Sequence, residues 1–318
     1  MNKILLEAIK LKKTYSSKWF INNSKVIAVN DVSLILHEGE TLGIVGESGS
    51  GKTTLCKLLV RLEKPDSGCL KYDNQNITNL PEKKIKNLRK KVQMIFQNSI
   101  DSINPKHTIG YIIEEPMEIQ TRLSEENRSN KTQELLLTVG LDPGIYNRYP
   151  HELSGGQKQR VTIARALSLD PQVLICDEPV TSLDVSTRAQ ILNLLLDLQQ
   201  KYKLSMIFVS HDLDVVYHVS DTIAVMFSGK IVEKAPATEL FFHAKHPYTK
   251  LLLSALLELK TCHTLESNNR IKQDYNLSEN KNGCIFYEYC AIRKQRCIQE
   301  CPEFREISSE HFCACHYC

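Results

Sequence analysis

Three stretches of this chain hold residues able to bind and break a phosphoanhydride. The first, Gly46-Glu47-Ser48-Gly49-Ser50-Gly51-Lys52-Thr53, fits the pattern G-x-x-x-x-G-K-S/T. Its flanks suit it: Thr41-Leu42-Gly43-Ile44-Val45 reads as a buried strand, and Thr54 to Val60 as a helix. Glycines let backbone N–H groups approach and cradle phosphate oxygens at the positive end of a helix. Lys52 adds a point charge near the β- and γ-phosphates, and Thr53 can ligate Mg²⁺. Alone, the loop says only nucleoside triphosphate.

The second stretch, Val173-Leu174-Ile175-Cys176, is an apolar strand ending in Asp177-Glu178. In that arrangement the first carboxylate holds the Mg²⁺ shell and the second polarises an attacking water. Met206 to Ser210 is another buried strand, ending at His211, and Val92 to Phe96 a further one, ending at Gln97, whose amide can sense both metal and water. The third stretch is Leu153-Ser154-Gly155-Gly156-Gln157. A glycine pair opening a helix from Ser154 to Ala166 exposes unpaired N–H donors to an anion.

These motifs, in the order loop, Gln97, LSGGQ, Asp-Glu, Ser182-Leu183-Asp184 and His211, resemble the nucleotide-binding subunit of an ABC transporter over roughly the first 240 residues. The resemblance implies an α/β fold: a RecA-like P-loop NTPase core with an antiparallel β edge subdomain and an α-helical subdomain at about 98–157. It implies two subunits facing head to tail, with Ser154, Gly155, Gly156 and Gln157 of one presented to the γ-phosphate held by the other. Asp184 then belongs to the turn linking the two sites. Glu178, His211 and Gln97 become the catalytic group, Thr53, Gln97 and Asp177 the Mg²⁺ group, and Thr54 a further nucleotide contact. Stacking an aromatic ring on a base is worth roughly 1–3 kcal/mol; Tyr15 sits where the family's stacking aromatic lies, with Trp19 and Phe20 as rivals.

Length and composition agree. The chain has 318 residues, enough for one large domain and an appendage. Its 40 basic and 37 acidic residues leave a formal charge of +3, which gives no basic field for nucleic acid. The cluster Lys83-Lys84-Ile85-Lys86 with Arg89-Lys90-Lys91 reads as a solvated helix face. No stretch approaches the roughly eighteen apolar residues of a spanning helix, and the start, Met1 to Glu7, is too soon charged for a signal peptide. The chain is therefore expected at the cytoplasmic face of a membrane, with any spanning parts on other chains and partner surfaces between about Asp101 and Glu152.

Between Leu5 and Gly68, strand-like runs such as Ile27-Ala28-Val29 and Val32 to Leu36 alternate with polar turns, as an edge antiparallel sheet requires. Ala189 to Lys201 places Ile191, Leu192, Leu194, Leu195 and Leu198 on one apolar helical face, expected to pack on the core. Strand and helix alternate through Asp221, the mark of a parallel α/β sheet.

Cysteine use is distinctive: seven of the eleven cysteines fall between Cys284 and Cys318, a density that a cytosolic protein rarely spends on disulfides. A metal or cluster is the expectation, and Cys284-x5-Cys290-x6-Cys297 departs from the C-x-x-C pairing of a zinc ribbon. Cys56, Cys69 and Cys176 read as buried small hydrophobes, while Cys262 falls in a polar linker from Thr261 to Lys281.

His246-Pro247-Tyr248-Thr249, the apolar helix from Lys250 to Leu259, Gly283-Cys284 with its two spaced cysteines, and Ala314-Cys315-His316 resemble the C-terminal extension of oligopeptide and dipeptide importer ATPases. Thr53-Thr54 and Arg61-Leu62-Glu63-Lys64-Pro65 resemble the F-type subunit more than the D-type. The resemblance divides the chain into a nucleotide-binding domain at 1–245 and an extension at 246–318. It implies a [4Fe–4S] cluster on Cys284, Cys290, Cys297 and Cys315, with Cys301 or Cys313 as alternatives for the fourth position. Such a cluster is expected to fold a small appendage lacking a core of its own.

The function implied is an ATPase subunit that pairs with a homologous, non-identical ATPase beneath two integral-membrane permeases. It would energise uptake of short peptides delivered by an external substrate-binding protein, with ATP and Mg²⁺ as cofactors. Alternatives are the same machinery serving nickel or a metallophore, or a soluble ATPase acting on nucleic acid or the ribosome. The last requires two ATPase halves or a coiled-coil insertion, and the chain has one set of motifs and no heptad tract.

Overall fold

All five residues of Thr41–Val45 are buried, the pattern of a strand covered on both faces, and the fold is organised around it. The computed structural model describes residues 3–16, 25–97, 102–181, 183–260 and 283–318. Strands β1 (Ile4–Ser16) and β2 (Lys25–His37) form a long antiparallel pair, followed by the central strand β3 (Thr41–Val45) and helix α1 (Lys52–Leu59). Strands β4 (Ser67–Tyr72) and β5 (Gln75–Asn76) complete a four-stranded sheet of order β2-β1-β4-β5, the edge layer expected from the sequence. The two runs read separately at 27–29 and 32–36 are one continuous strand.

Helix α2 (Glu82–Lys91) carries the basic cluster, burying only Ile85 and Leu88, and leads into β6 (Val92–Ile95). A helical layer follows: α3 (Ile109–Gln120), α4 (Glu125–Thr138) and α5 (Gly155–Leu167). Each starts on a side-chain cap, from Thr108, Ser124 and Ser154 respectively, which satisfies an N–H that the helix itself leaves open. Alternation then resumes with β7 (Val173–Asp177), α6 (Val185–Tyr202), β8 (Ser205–Ser210), α7 (Leu213–Val219), β9 (Thr222–Phe227) and β10 (Lys230–Pro236). Helices α8 (Ala237–His243) and α9 (Pro247–Lys260) precede the cysteine-rich residues, which contain α10 (Arg296–Gln299), β11 (Arg305–Ser308) and β12 (His311–Cys313).

The main sheet has eight strands in the order β11-β12-β10-β9-β3-β8-β7-β6. Side-chain alternation sends Met206 and Phe208 of β8 into one core and Ile207 and Val209 into the other, so the sheet separates two hydrophobic layers. On α6, Ile191, Leu195 and Leu198 are buried, whereas Leu192 and Leu194 are only half-buried against the same layer. Cys56 and Cys176 are buried as expected; Cys69 is half-buried.

The C-terminal residues are joined to the main sheet. Strand β12 pairs antiparallel with β10 (Glu233↔Cys313, Lys234↔Phe312) and extends the main sheet. The anchor is Glu233, fully buried, which accepts from Lys245 N–H at 2.6 Å and His246 N–H at 3.1 Å and pairs with the buried His311 at 2.8 Å. A buried carboxylate with this many donors is satisfied, and it welds the strand edge to the last segment.

Candidate active site

Parallel register brings the candidate residues to one edge of the sheet. Val45 lies opposite Ser210, Asp177 opposite Val209, and Ile95 opposite Cys176, so the residues just beyond β3, β6, β7 and β8 emerge side by side. In open α/β sheets, ligands bind at the carboxyl ends of the strands.

After β3 the chain turns through the phosphate loop. Gly51 has φ 102° and directly precedes α1; a Cβ there would lie 2.0 Å from the Ala28 carbonyl oxygen, so only glycine fits. Lys52 is buried and donates to the carbonyls of Gly46 at 2.7 Å and Glu47 at 2.8 Å, closing the loop around its own ammonium. Burial pushes its pKa down while Glu178 and Asp177 oppose that shift. Burial also raises the Glu47 carboxyl, with Lys52 acting the other way. Ser50 is buried with an unpartnered hydroxyl, and Ser48, Gly49, Thr53 and Thr54 complete the loop and first helical turn.

Glu178 is the hub. Its backbone takes φ 49°, a left-handed conformation that costs a non-glycine residue on the order of 1–3 kcal/mol, and its N–H is held by the Val209 carbonyl at 2.9 Å. Its Oε2 accepts from Gln97 Nε2 at 3.2 Å and from Thr181 Oγ1 at 3.0 Å, and lies 3.3 Å from His211 Nδ1. Its Oε1 faces Lys52 Nζ at 4.0 Å. Four strand ends thus converge on one carboxylate. Thr181 was not foreseen, although its place three residues after Glu178 in a turn is a readable signal.

Asp177 is buried, and neither carboxylate oxygen has a hydrogen-bond partner. Burial is the chief cause of its raised pKa; the Thr53 hydroxyl nearby and Lys52 act in the opposite direction, while Glu178 adds to the rise. An unpartnered buried carboxylate beside a threonine hydroxyl fits a hard divalent cation such as Mg²⁺. Tyr15, on the last turn of β1, is partly exposed and bonded to Glu63, with Thr54 close to its hydroxyl. Its rivals Trp19 and Phe20 lie outside the described residues.

Ser154 caps α5 and forms a reciprocal box with Gln157, the backbone N–H of each bonded to the side chain of the other at 2.9 and 3.3 Å. Ser154 and Gly155 are exposed. Gly156 presses on α6: a Cβ there would meet Thr187 Cγ2 at 2.5 Å. Thr187 N–H in turn donates to Asp184 at 3.0 Å, and the hydroxyl of Ser186 with that bond holds the Asp184 carboxyl far below the usual range. Ser182 lies outside the described residues.

Cys284, Cys290, Cys297 and Cys315 line one cavity with Phe286, Tyr287 and Pro302. Burial pushes the Cys284 thiol up to about 11 and raises Cys290, and the other thiols of the cavity add to both. Cys301 is exposed and contacts Lys230 at 3.3 Å. The sulfurs of Cys313 and Cys318 lie side by side, and neither residue lines that cavity. Cys262 lies outside the described residues.

Known proteins resemble this chain over most of its length. The ABC transporter family model matches residues 29–181, and the model of the oligopeptide/dipeptide transporter C-terminal region matches residues 232–297. The oligopeptide transport ATP-binding protein AppF of Bacillus subtilis is 45% identical over 295 residues, covering 92% of this chain and 89% of that protein. The dipeptide transport ATP-binding protein DppF of Escherichia coli is 45% identical over 311 residues, covering 96% and 92%. Among solved structures, the dimeric ATP-binding cassette MJ0796 in a post-hydrolysis state bound to ADP and Pi superposes with a TM-score of 0.66 at 30% identity, over 73% of this chain and 99% of that one. With a phosphate loop, a strand-end Asp-Glu pair and a C-terminal region all matched in one polypeptide, the chain belongs to the oligopeptide/dipeptide importer family of ABC transporter ATP-binding proteins and is an ATPase.

Proposed function

We propose that this ATPase sits peripherally at the cytoplasmic face of a membrane, beneath two permeases, and powers uptake of di- and oligopeptides handed over by an external binding protein. The carrying observation is that the site assembled around Glu178 and the C-terminal region typical of peptide importers occur in the same chain. No helix among the described residues is long and apolar enough to cross a membrane, so the translocation path falls to other chains. A groove between β6 and helices α3 and α5, lined by Phe96, Glu115, Pro116, Ile119 and Arg165, is the surface we assign to a permease. Glu115, Pro116 and Ile119 fall within the segment expected to carry partner contacts, and Phe96 and Arg165 flank it.

In this reading the phosphates of ATP rest on the loop amides from Gly46 to Thr53, and Lys52 exchanges its two carbonyl partners for phosphate oxygens. Tyr15 stacks on the base. Glu178 takes a proton from the water whose oxygen attacks the γ-phosphorus as the bond to the β-γ bridging oxygen breaks. Gln97 and Thr181 orient the carboxylate by donating to Oε2, and His211 lies against the same oxygen, facing the γ-phosphate. Mg²⁺ held by Asp177, Thr53 and Gln97 would neutralise charge on the β- and γ-phosphates. Ser154 to Gln157, of which Ser154 and Gly155 are exposed at the start of α5, supply donors to the nucleotide of a second, homologous ATPase subunit, and Asp184 links the two sites through Thr187. Nucleotide then drives transport only by binding the closed pair better than the open one. The domain limits we adopt are 1–245 and 246–318.

The four thiols of the C-terminal cavity suit a [4Fe–4S] cluster, with Cys315, which lines the cavity, rather than Cys301 or Cys313, which do not, as fourth ligand. Four thiolates suffice for such a cluster, and the spacing of the first three departs from the C-x-x-C pairing of a zinc ribbon. Anaerobic purification followed by iron, sulfide and zinc counts tests this; zinc alone, or no metal, overturns it.

The transport reading is tested in proteoliposomes holding the permeases and both ATPases. ATP hydrolysis should rise when the binding protein arrives loaded with peptide. Stimulation by a nickel or metallophore complex and not by peptide would replace peptide with metal as cargo, and stimulation by RNA without permeases would overturn the importer.

A further inference from the structure

Tyr248, the second residue of α9, is fully buried, and its hydroxyl accepts from the Glu47 N–H at 3.1 Å. The Glu47 carbonyl is held as well, by Lys52 Nζ at 2.8 Å and Ser50 N–H at 3.2 Å. Both main-chain groups of Glu47 are therefore fixed, one from within the loop and one by a residue 201 positions away. The amides that must converge on phosphate follow immediately after Glu47. Where Glu47 is held decides where they point.

Tyr248 owes its position to the C-terminal residues. Its N–H donates to the buried His246 Nδ1 at 3.1 Å. Its ring lies 4.7 Å from Phe227 and 5.5 Å from Phe286, and Phe286 meets Phe227 edge-on at 5.2 Å. Phe227 ends β9, and the turn after it donates Gly229 N–H to the Ser50 carbonyl at 2.9 Å, a second support for the same loop. Phe286 lies two residues after Cys284 and lines the four-thiol cavity. A route of direct contacts thus runs from that cavity through Phe286 and Tyr248 to Glu47.

We propose that Tyr248 is a positioning residue through which the C-terminal segment presets the phosphate loop for nucleotide, with Phe286 as the surface that holds Tyr248 in place. The inference concerns the ATPase site and is independent of what the thiols bind. A loop that must be ordered before phosphate can dock binds more weakly by the fraction of time it is ready. Without the hydroxyl, the Glu47 N–H loses the buried acceptor that Tyr248 gives it, and the ready conformation of the loop is less favoured.

Tyr248→Phe keeps the ring and removes only the hydroxyl. In the full-length chain titrated with a fluorescent ATP analogue, Kd should rise roughly 5- to 50-fold. In steady-state hydrolysis the loss should fall on KM for ATP more than on kcat, because the groups around Glu178 are untouched. A hydroxyl with a structural role alone would lower the melting temperature and leave Kd within about 2-fold, and that result overturns the proposal. Phe286→Leu should also weaken ATP binding, and add little when Tyr248 is already Phe, since both act along one route. Fully additive effects would sink that route. Should Phe286→Leu fail to fold, the Tyr248→Phe titration decides alone.

Discussion

Gln97 Nε2 donates to Glu178 Oε2 at 3.2 Å, so a residue just past β6 steadies a residue just past β7. Strands β6 and β7 are neighbours in the sheet, which makes this contact a direct product of their parallel register. Glu178→Gln retains a side-chain oxygen for Gln97 and Thr181 and loses only basicity. Turnover is expected to fall roughly 10²–10⁴-fold with ATP affinity preserved, as measured by phosphate release and nucleotide titration. Normal turnover would refute the assignment of Glu178 as base.

Lys52 neutralises two loop carbonyls as well as waiting for phosphate. Lys52→Ala should therefore weaken ATP binding and also destabilise the nucleotide-free chain, by about 1–3 kcal/mol for the Gly46 carbonyl that loses its Lys52 donor. Thermal melts with and without ATP separate the two effects. Unchanged ATP affinity would contradict the phosphate-loop geometry.

The sheet core, the loop and the convergence on Glu178 were legible because each motif sits at a strand end, and parallel pairing carries strand ends to one edge whatever the loops between them do. The helix opening at Ser154 was legible for the same local reason, whereas the capping box of Ser154 with Gln157 was not read. The joining of β12 to β10 was not: His311-Phe312-Cys313 is three residues long, and its partner Glu233 lies 78 positions away. Nor was Tyr248, whose contact with Glu47 depends on the packing of Phe227 and Phe286 rather than on any spacing. Polar contacts of high sequence separation leave no periodic trace.

Asp177 gives a pH dependence of definite sign. Its folded pKa lies above the ordinary carboxylate value, chiefly through burial. A raised carboxyl favours the fold when protonated, below the unfolded pKa, and that contribution is lost as pH rises through the folded pKa. At neutral pH the nucleotide-free chain thus carries an unfavourable buried charge. Asp177→Asn should stabilise it by about 1–3 kcal/mol near pH 7, with the advantage vanishing at pH values below the carboxylate range. Hydrolysis in Mg²⁺ should fall steeply in the same variant. Equal melting temperatures at pH 7 would show that the carboxylate is compensated.

Gly156 touches Thr187, and Thr187 is bonded to Asp184, so the start of α5 and the start of α6 move together. Gly156→Ala places a methyl group 2.5 Å from Thr187 Cγ2 and must push the two helix starts apart. ATP binding to the isolated chain should be nearly unchanged, since the phosphate loop is elsewhere, while turnover in the assembled transporter should drop roughly 10-fold or more through misplaced donors. A matching loss of ATP affinity in the isolated chain would mean that the effect is not confined to the shared interface.

His246 supplies the last test, because its ring joins two events that would otherwise be separate. Burial lowers its pKa from 6.5 to about 4, and its Nδ1 accepts from Tyr248 N–H, which a protonated ring cannot do. A base with a depressed folded pKa contributes stability that is complete above the unfolded value and is lost as pH falls toward the folded one. The window is therefore from about pH 6.5 down to about 4, and the full swing approaches about 3 kcal/mol. Over that window the wild-type chain should lose stability more steeply than His246→Gln, in which one titrating proton is absent. The ATP affinity of the wild type should hold across most of that window and fall only near pH 4, where the folded ring itself takes a proton, loses its Nδ1 acceptor and loosens Tyr248 and with it Glu47. Parallel stability curves for the two proteins would show that His246 is not buried as a neutral ring, and an ATP affinity that stays unchanged on titration through about pH 4 in the folded chain would cut the link between this histidine and the phosphate loop.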